Sequence, residues 1–271
     1  MRHDWWGDAL FVHYPVDAAQ MQAKLPDGLE LDLFDGVAWV GIVLISEEGI
    51  MPWPPGVPLS MLRWLGLSHH AVNVRTYVRP AGGPESSPPG IFFFTLDCDS
   101  LLPTIGARLL FNLPYRYAPG MRRVRAAERE NGHTQTAAEP PTLRLESERM
   151  ASRPPARVRA AWRPISTQGA HTQDGDDALG RFFVERYALY NEPGFLLRHL
   201  VLRRGARLWH GTITHEPWPL QRAHLREFDS SVLEAAGLAE LVCGDPVAHA
   251  SAGVGPVTFY WQGEPPGAAR R

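Results

Sequence analysis

Lysine is the scarcest basic residue of this 271-residue chain: Lys24 stands alone among 27 basic side chains, the others being arginines. Arginine stays protonated at any working pH, so chemistry that needs a neutral amine, an imine above all, is confined to Lys24 or the N-terminus. The surplus of Arg, Ala, Gly and Pro reads as the mark of a GC-rich genome rather than of a function. Cysteine is almost as rare. Cys98 and Cys243 form no CxxC pair and no metal-type spacing, and both read as small buried hydrophobes in a reduced compartment. The longest apolar run, Val37–Ile45, is far short of the ~20 residues a membrane helix needs. The N-terminus, MRHDWWGDALF, places two acids and two tryptophans where a signal peptide would be basic and then apolar. A cytoplasmic location and no membrane partner are therefore expected. With 29 acidic side chains against 27 basic ones, the net charge of −2 supplies no basic excess for nucleic acid.

Several catalytic signatures are missing as well. There is no GxSxG elbow, P-loop or HExxH helix. Gly253-Val254-Gly255 lacks the third glycine and the strand–helix setting of a dinucleotide fingerprint, so no cofactor is expected. His199, His210 and His215 lie on neighbouring predicted strands and His69-His70 form a pair. However, no two histidines are spaced i, i+2 or i, i+4, and the odd offset of His210 and His215 puts them on opposite strand faces. No metal site is expected.

What remains is an ordinary globular balance, 44% hydrophobic residues with 25 glycines and 25 prolines. A chain of this length buries about three quarters of its unfolded surface and needs no disulfide. Proline and glycine mark loops at Met51–Pro58, Pro80–Pro89, Pro140–Pro141 and Pro164–Asp177. Val37–Ile45, Ile91–Leu96 and Leu196–Leu202 are apolar on both faces and suit covered central strands. Val72, Val74, Thr76 and Val78 share one face of a strand whose other face carries Asn73, Arg75 and Tyr77. Ala156, Val158, Ala160 and Trp162 alternate with arginines in the same way, and Asn131-Gly132 reads as a hairpin turn.

Three helices are expected. Asp17 caps one that ends near Lys24 before Pro26, where the lysine complements the helix dipole. Asp99 or Ser100 caps a second, with Leu102, Ile105 and Leu109 as its buried stripe and Pro114 forbidding continuation. Ser231 and Glu234 have capping-box spacing for a third that ends at Gly244. Many short strands, few helices and no βαβ alternation give an α+β, mostly β, antiparallel barrel or sandwich. Residues 1–262 are expected to form one domain, followed by a frayed tail over 263–271.

Two segments could carry chemistry. Glu185-Arg186-Tyr187-Ala188-Leu189-Tyr190 reads as a short strand in which Glu185 and Tyr187 share a face. It is either a structural Arg–Glu network or a ligand site where Glu185 moves a proton. His215-Glu216-Pro217-Trp218-Pro219 reads as a rigid strand exit with Trp218 as a plug, or as a cavity mouth where His215 exchanges a proton near neutral pH. Arg75 and Tyr77 face the same choice between wet surface and cavity lining.

A resemblance then extends the reading. Its segments begin with Trp39-Val40-Gly41, Asn73-Val74-Arg75-Thr76-Tyr77-Val78 and Gly90-Ile91-Phe92-Phe93-Phe94. They continue with Ala107-Arg108 through Leu113-Pro114-Tyr115-Arg116-Tyr117-Ala118, then Glu185-Arg186-Tyr187 and His215-Glu216-Pro217-Trp218. In this order, from about Trp5 to Trp261, the chain resembles the uncharacterised YqjF-like family, a branch of the acetoacetate-decarboxylase-like superfamily. The resemblance implies a mostly antiparallel β-barrel or cone with peripheral helices and an interior cavity. True acetoacetate decarboxylases carry a Gly-x-Pro-Lys-Lys segment in which one lysine forms a Schiff base and its neighbour lowers its pKa. Asn112-Leu113-Pro114-Tyr115-Arg116 corresponds to it, so Tyr115 and Arg116 stand where the lysines would, and neither can form an imine. The decarboxylase glutamate has no counterpart beyond the neighbourhood of Asn73 or Arg75.

The reading that follows is a small carboxylate- or carbonyl-bearing metabolite bound in the barrel. Arg75 or Arg116 would hold the anion, Tyr115 and Tyr77 would donate to a carbonyl, Tyr187 and Trp218 would line the site, and Glu185 or His215 would move a proton. Lyase, hydratase or isomerase chemistry without a covalent intermediate fits this set. The alternative is a non-catalytic binding or structural protein with a satisfied polar core. Decarboxylation of acetoacetate through Lys24 is a third reading. A homo-oligomer is compatible with apolar edge strands, and no segment defines its interface.

Overall fold

A computed structural model of the chain describes residues 1–51, 66–82, 87–126, 129–130, 133–134, 142–149, 154–165, 177–193 and 208–263. The chain opens with β1 (Arg2–His3) and β2 (Trp5–Val16), then a short helix α1 (Ala18–Gln22), β3 (Leu29–Leu31) and the long β4 (Ala38–Ile50). Next come β5 (Leu67–Pro80), β6 (Gly90–Cys98), α2 (Leu101–Phe111), β7 (Tyr115–Tyr117) and β8 (Arg122–Ala126). A two-residue pair, β9 (Arg129–Glu130) with β10 (His133–Thr134), precedes β11 (Thr142–Glu148) and β12 (Arg157–Pro164). The last part runs α3 (Ala178–Val184), β13 (Ala188–Asn191), β14 (Trp209–Thr214), β15 (Leu220–Ser230), α4 (Val232–Ala235), β16 (Val247–Val254) and β17 (Val257–Gly263).

Fifteen of these strands form one sheet in the order β1-β17-β14-β13-β6-β5-β4-β2-β16-β15-β12-β11-β8, with β3 beside β5 and β7 beside β6. Pairing is antiparallel except where β6 meets β13 and β7. The sheet is not a fully closed barrel, but it curls back on itself. Arg2 and His3 pair with Thr258 and Val257, while Arg2 also bridges Met51 at the far end of β4.

Alternation along β2, β4 and β5 divides the core in two. One face carries Leu10, Val12, Val40, Ile42, Leu44, Val72 and Val74, which pack against Leu145, Val158, Ala160 and Trp162 of β11 and β12. The other carries Phe11, Trp39, Val43, Ile45, Ala71 and Tyr77, which pack with Phe183, Ile213, Trp218 and Val257. We call these the outer and inner faces. Val72, Val74, Thr76 and Val78 share the outer face as their alternation predicts, and Asn73, Arg75 and Tyr77 point inward. The burial of Ala156, Val158, Ala160 and Trp162 also follows their pattern, with a register shift between Ala161 and Trp162.

Other expectations need correction. The Leu102, Ile105 and Leu109 stripe of α2 is not buried: these side chains are 70%, 44% and 56% exposed. A helical period predicts an apolar face, not the element that covers it. Ser100 precedes α2 without a side-chain cap bond, and Asn112 ends it in the left-handed conformation. The Ser231 helix is only Val232–Ala235 followed by a 3-10 turn at Ala239–Leu241, so it does not continue to Gly244. Residues 185–187 are not strand but the exit from α3, a helix that the sequence reading did not anticipate. Cys98 is buried, whereas Cys243 is exposed. The Leu196–Leu202 strand, His199, the Asn131-Gly132 turn and residues 264–271 lie outside the described residues.

Candidate functional site

The sequence folds so that one column of β5 supplies the inner wall: His69, Ala71, Asn73, Arg75 and Tyr77. Its neighbours in β4 and β6 follow from register, with Glu47 opposite His69, Gly41 and Phe93 opposite Arg75, and Leu96 opposite Asn73. Tyr115 pairs with Leu96, so it shares the inward face, and its hydroxyl end is enclosed. Arg116 pairs with Asp97 and therefore points to the outer face. The two residues of the Tyr115-Arg116 pair thus part company, as adjacent strand residues must.

At one end of the column Arg75 donates from Nη2 to the Phe183 carbonyl at 3.0 Å and lies 5.8 Å from the Phe11 ring. Its Nε is buried without a partner, and no carboxylate among the described residues pairs with it. Tyr77 is fully buried and shares a 2.5 Å hydrogen bond with His13 Nε2. Burial, together with the charges of Arg75 and His249, holds the His13 imidazole well below its usual pKa, and burial pushes the Tyr77 phenol up. Close by, Arg186 donates to Asp32 at 2.5 Å and lies 4.0 Å from the Phe182 ring centre, and Arg79 also pairs with Asp32. Arg186 is therefore a satisfied structural cation.

At the other end Glu47 is the hub. Its Oε2 lies 3.0 Å from His3 Nδ1 and 3.8 Å from His69 Nε2. Burial raises the Glu47 carboxyl, but the His69 charge and the hydrogen bond and charge of His3 outweigh it, so the net shift is downward. His69 is lowered, because burial exceeds the opposing pull of Glu47. Tyr115 is raised well above its usual value by burial and by the charges of Glu47 and Cys98, so its hydroxyl keeps its proton. The His3 Nε2 and Asn73 Oδ1 atoms and both ring nitrogens of His69 are buried without hydrogen-bond partners. Each such atom costs about 1–3 kcal/mol unless something fills its place.

Aromatic rings join the two ends. Trp218 packs edge-on to Phe11 at 5.3 Å and stacks with Trp6 at 6.2 Å, and Trp6 donates toward His3 Nδ1 at 2.8 Å. Glu185 accepts from the Trp218 backbone N–H at 2.9 Å and from the Tyr187 hydroxyl. His215 stacks on Tyr187 at 4.8 Å. These four residues form one partly exposed cluster at the inner rim, with Trp218 as its buried plug. Lys24 is exposed beyond the end of α1, and Met1 nitrogen is exposed and donates to Phe259 O at 3.0 Å. No amine of the chain therefore lies on the inner face.

Glu47, His3 and His13 escaped the sequence reading. Glu47-Glu48 looks like the solvated end of an apolar strand, and only the cross-strand register shows that Glu47 turns inward. Among the described residues no group of His, Cys, Asp and Glu side chains could hold a metal ion, and no helix is long and apolar enough to cross a membrane.

The buried histidines predict a pH dependence of stability. His13, His69 and His249 all have lowered pKa values in the fold, so the unfolded chain binds protons below its usual 6.5 that the native chain refuses. Stability is then lost as pH falls through 6.5 towards the folded values. Tm, followed by intrinsic tryptophan fluorescence, is expected to drop between pH 7.5 and 5.5. A flat or rising Tm contradicts this electrostatic picture.

Comparison with known proteins agrees with this architecture. Residues 3–255 match DUF2071, described as an uncharacterized conserved protein. The uncharacterized protein YqjF of Bacillus subtilis strain 168 is 32% identical over 248 residues, covering 90% of this chain and 84% of its own. An acetoacetate decarboxylase-like enzyme from Sphingomonas wittichii RW1 superposes with a TM-score of 0.53 at 15% identity, covering 97% of this chain and 93% of that one. The enduracididine biosynthesis enzyme MppR, complexed with pyruvate, gives 0.54 at 13% identity over 96% and 90%. The fold is thus acetoacetate-decarboxylase-like, and the chain belongs to the DUF2071 family, together with YqjF.

Proposed function

We propose that the chain binds a small carboxylate that also carries a carbonyl, on the inner face, and acts on it by proton transfer without a lysine imine. Arg75 carries this reading. It is a half-buried guanidinium that touches the Phe183 carbonyl and the Tyr77 phenol, while its Nε is buried without a partner and no acidic side chain among the described residues pairs with it, which suits an anion receptor. Tyr115 and Asn73 share the next level of the wall, where a phenol fixed in its protonated form donates to a carbonyl oxygen. Glu185 and His215 sit at the rim, beyond Trp218, and suit entry and orientation rather than the first contact with the anion. Arg116, on the outer face, takes no part. Lyase, hydratase or isomerase chemistry is compatible with such donors, and the pyruvate complex of a fold neighbour makes 2-oxo acids the first class to try.

A second reading, a non-catalytic protein with a polar core, draws on the close packing of Phe11, Trp218 and Phe183 between the polar groups. Thermal-shift titration with 2-oxo and 2-hydroxy acids separates the two. A binder is expected to raise Tm in a dose-dependent way, and saturation at 100 times Kd corresponds to about 2.7 kcal/mol. Arg75→Met should weaken binding by about 10- to 100-fold, the equivalent of one lost charge-assisted bond, with Tyr115→Phe weaker by about tenfold. No shift with any acid of the panel favours the structural reading.

A further inference from the structure

On the opposite side of Tyr115 from Arg75 lies a group that none of the anion-binding residues explains. His69 and Glu47 face each other across β5 and β4, and His3 reaches the same carboxylate oxygen from β1. Three buried ionisable side chains on one apolar wall are costly to assemble, and each buried ring nitrogen without a partner adds to that cost. Here three lack a partner: both ring nitrogens of His69, and His3 Nε2. Resting on the carboxylate-and-carbonyl reading above, we propose that His69 removes a proton from the carbon next to the bound carbonyl, with Glu47 and His3 as positioning residues.

The geometry supplies each part. Glu47 Oε2 lies 3.8 Å from His69 Nε2, beyond hydrogen-bond reach, and its negative charge on that side favours the tautomer with the proton on Nε2 and the lone pair on Nδ1. In the step, the C–H bond breaks and its proton goes to Nδ1. The electron pair moves into a carbon–carbon double bond, and the carbonyl oxygen becomes an enolate oxygen. The Tyr115 hydroxyl stabilises that oxygen by donating a hydrogen bond, and return of the proton to carbon restores the starting acid, so no oxidant or co-reactant is needed. His69 and Arg75 are six positions apart on β5, about 20 Å along the strand, with Asn73, at the level of Tyr115, between them. Part of that gap is spanned by the long Arg75 side chain, and the separation favours an extended acid over the shortest one. The charged and titratable groups that act on His69 are Glu47 opposite it, His3 from β1, Asp99 after β6, and its neighbour His70. Burial keeps His69 unprotonated near neutral pH, as a base must be, while Glu47 moderates that effect.

Hydrogen–deuterium exchange tests this without knowledge of the full reaction. Pyruvate and 2-oxoglutarate are incubated with the full-length protein in D2O, and loss of their C3 proton signals is followed by NMR, alongside binding from ligand line broadening. The wild type is expected to accelerate exchange of at least one acid, the longer one more, with an acid limb that coincides with titration of the His69 Cε1–H resonance. His69→Asn should slow exchange by about 100-fold or more while binding persists. Glu47→Gln should slow it by about tenfold and move the acid limb to lower pH, because the charge that raises the imidazole is gone. A purely structural Glu47 would lower Tm and leave the limb in place, which overturns the positioning role. Should His69→Asn not fold, an acid limb that does not track the wild-type His69 resonance overturns the proposal on its own. Binding without exchange overturns the proton transfer and leaves the binding reading intact, whereas neither binding nor exchange removes both.

Discussion

Replacing Arg149 by methionine is expected to cost the fold about 3–5 kcal/mol, the range for stranding one member of a buried ion pair. Asp97 projects from β6 into the outer core, and Arg149 meets it with Nε at 2.8 and 2.9 Å from the two carboxylate oxygens and Nη2 at 2.7 Å from one of them. Its other donors reach Thr95 Oγ1 at 2.7 Å and the Pro154 carbonyl at 3.3 Å. The two side chains are 2% and 1% exposed, so solvent screens neither. Burial pushes the Asp97 carboxyl up even with Arg149 bound, and losing the guanidinium removes the largest opposing effect. In Arg149→Met the folded chain holds a proton at pH values where the unfolded chain has released it. The variant's deficit should therefore shrink as pH is lowered through the raised pKa. Urea unfolding at pH 8 and pH 5 measures this, and Asp97→Leu/Arg149→Met should recover most of the loss because no charge is left stranded. A deficit under 1 kcal/mol, or a double variant no better than the single one, contradicts the assignment.

This pair also shows where sequence reasoning stops. The alternation in β5 assigns its faces correctly because period two is a local property that needs no knowledge of the partner strand. The same holds for β12 and for the start of α1, where Asp17 accepts from Gln20 N at 2.8 Å as its capping position demands. Arg149 and Asp97, by contrast, are 52 residues apart, and nothing near either names the other. Glu47 is hidden for the same reason: its inward turn is fixed by pairing with His69 and Trp6, and its neighbour Glu48 faces away. The α2 stripe fails differently, since its period is genuine but its face looks outward. The alternation of residues 185–190 suits a strand, which holds from Ala188 onward, whereas the Asp177 cap, accepting from Gly180 N at 2.7 Å, starts a helix that sets Glu185 just past its end. The family resemblance located Tyr115 and Arg116, yet only the β7 register separates them into inner and outer residues.

Phe183→Ala should be the most damaging single change on the inner side, at about 3–5 kcal/mol. The ring is fully buried and stacks on the His13 imidazole at 3.7 Å with 5° between planes, and it also meets Trp39 at 5.1 Å, Tyr77 at 5.5 Å, Phe182 at 5.8 Å and His249 at 6.3 Å. A seven-residue helix has little stability of its own, so this ring is what fastens α3 to the wall. Its loss reaches the candidate site by two routes. The Phe183 carbonyl that receives Arg75 Nη2 is no longer held in place, and the His13 imidazole loses the apolar cover that keeps it neutral. Carboxylate affinity should accordingly fall with stability, and the His13 resonance should titrate closer to 6.5 than in the wild type. Phe183→Leu refills most of the volume without the flat stacking surface and is expected to cost clearly less than the alanine variant. Urea midpoints rank the three proteins, and NMR titration of His13 reports the solvent entry directly. An alanine variant within 1 kcal/mol of the leucine variant, with His13 titrating as in the wild type, means that neighbouring side chains, and not Phe183, close this end of the wall.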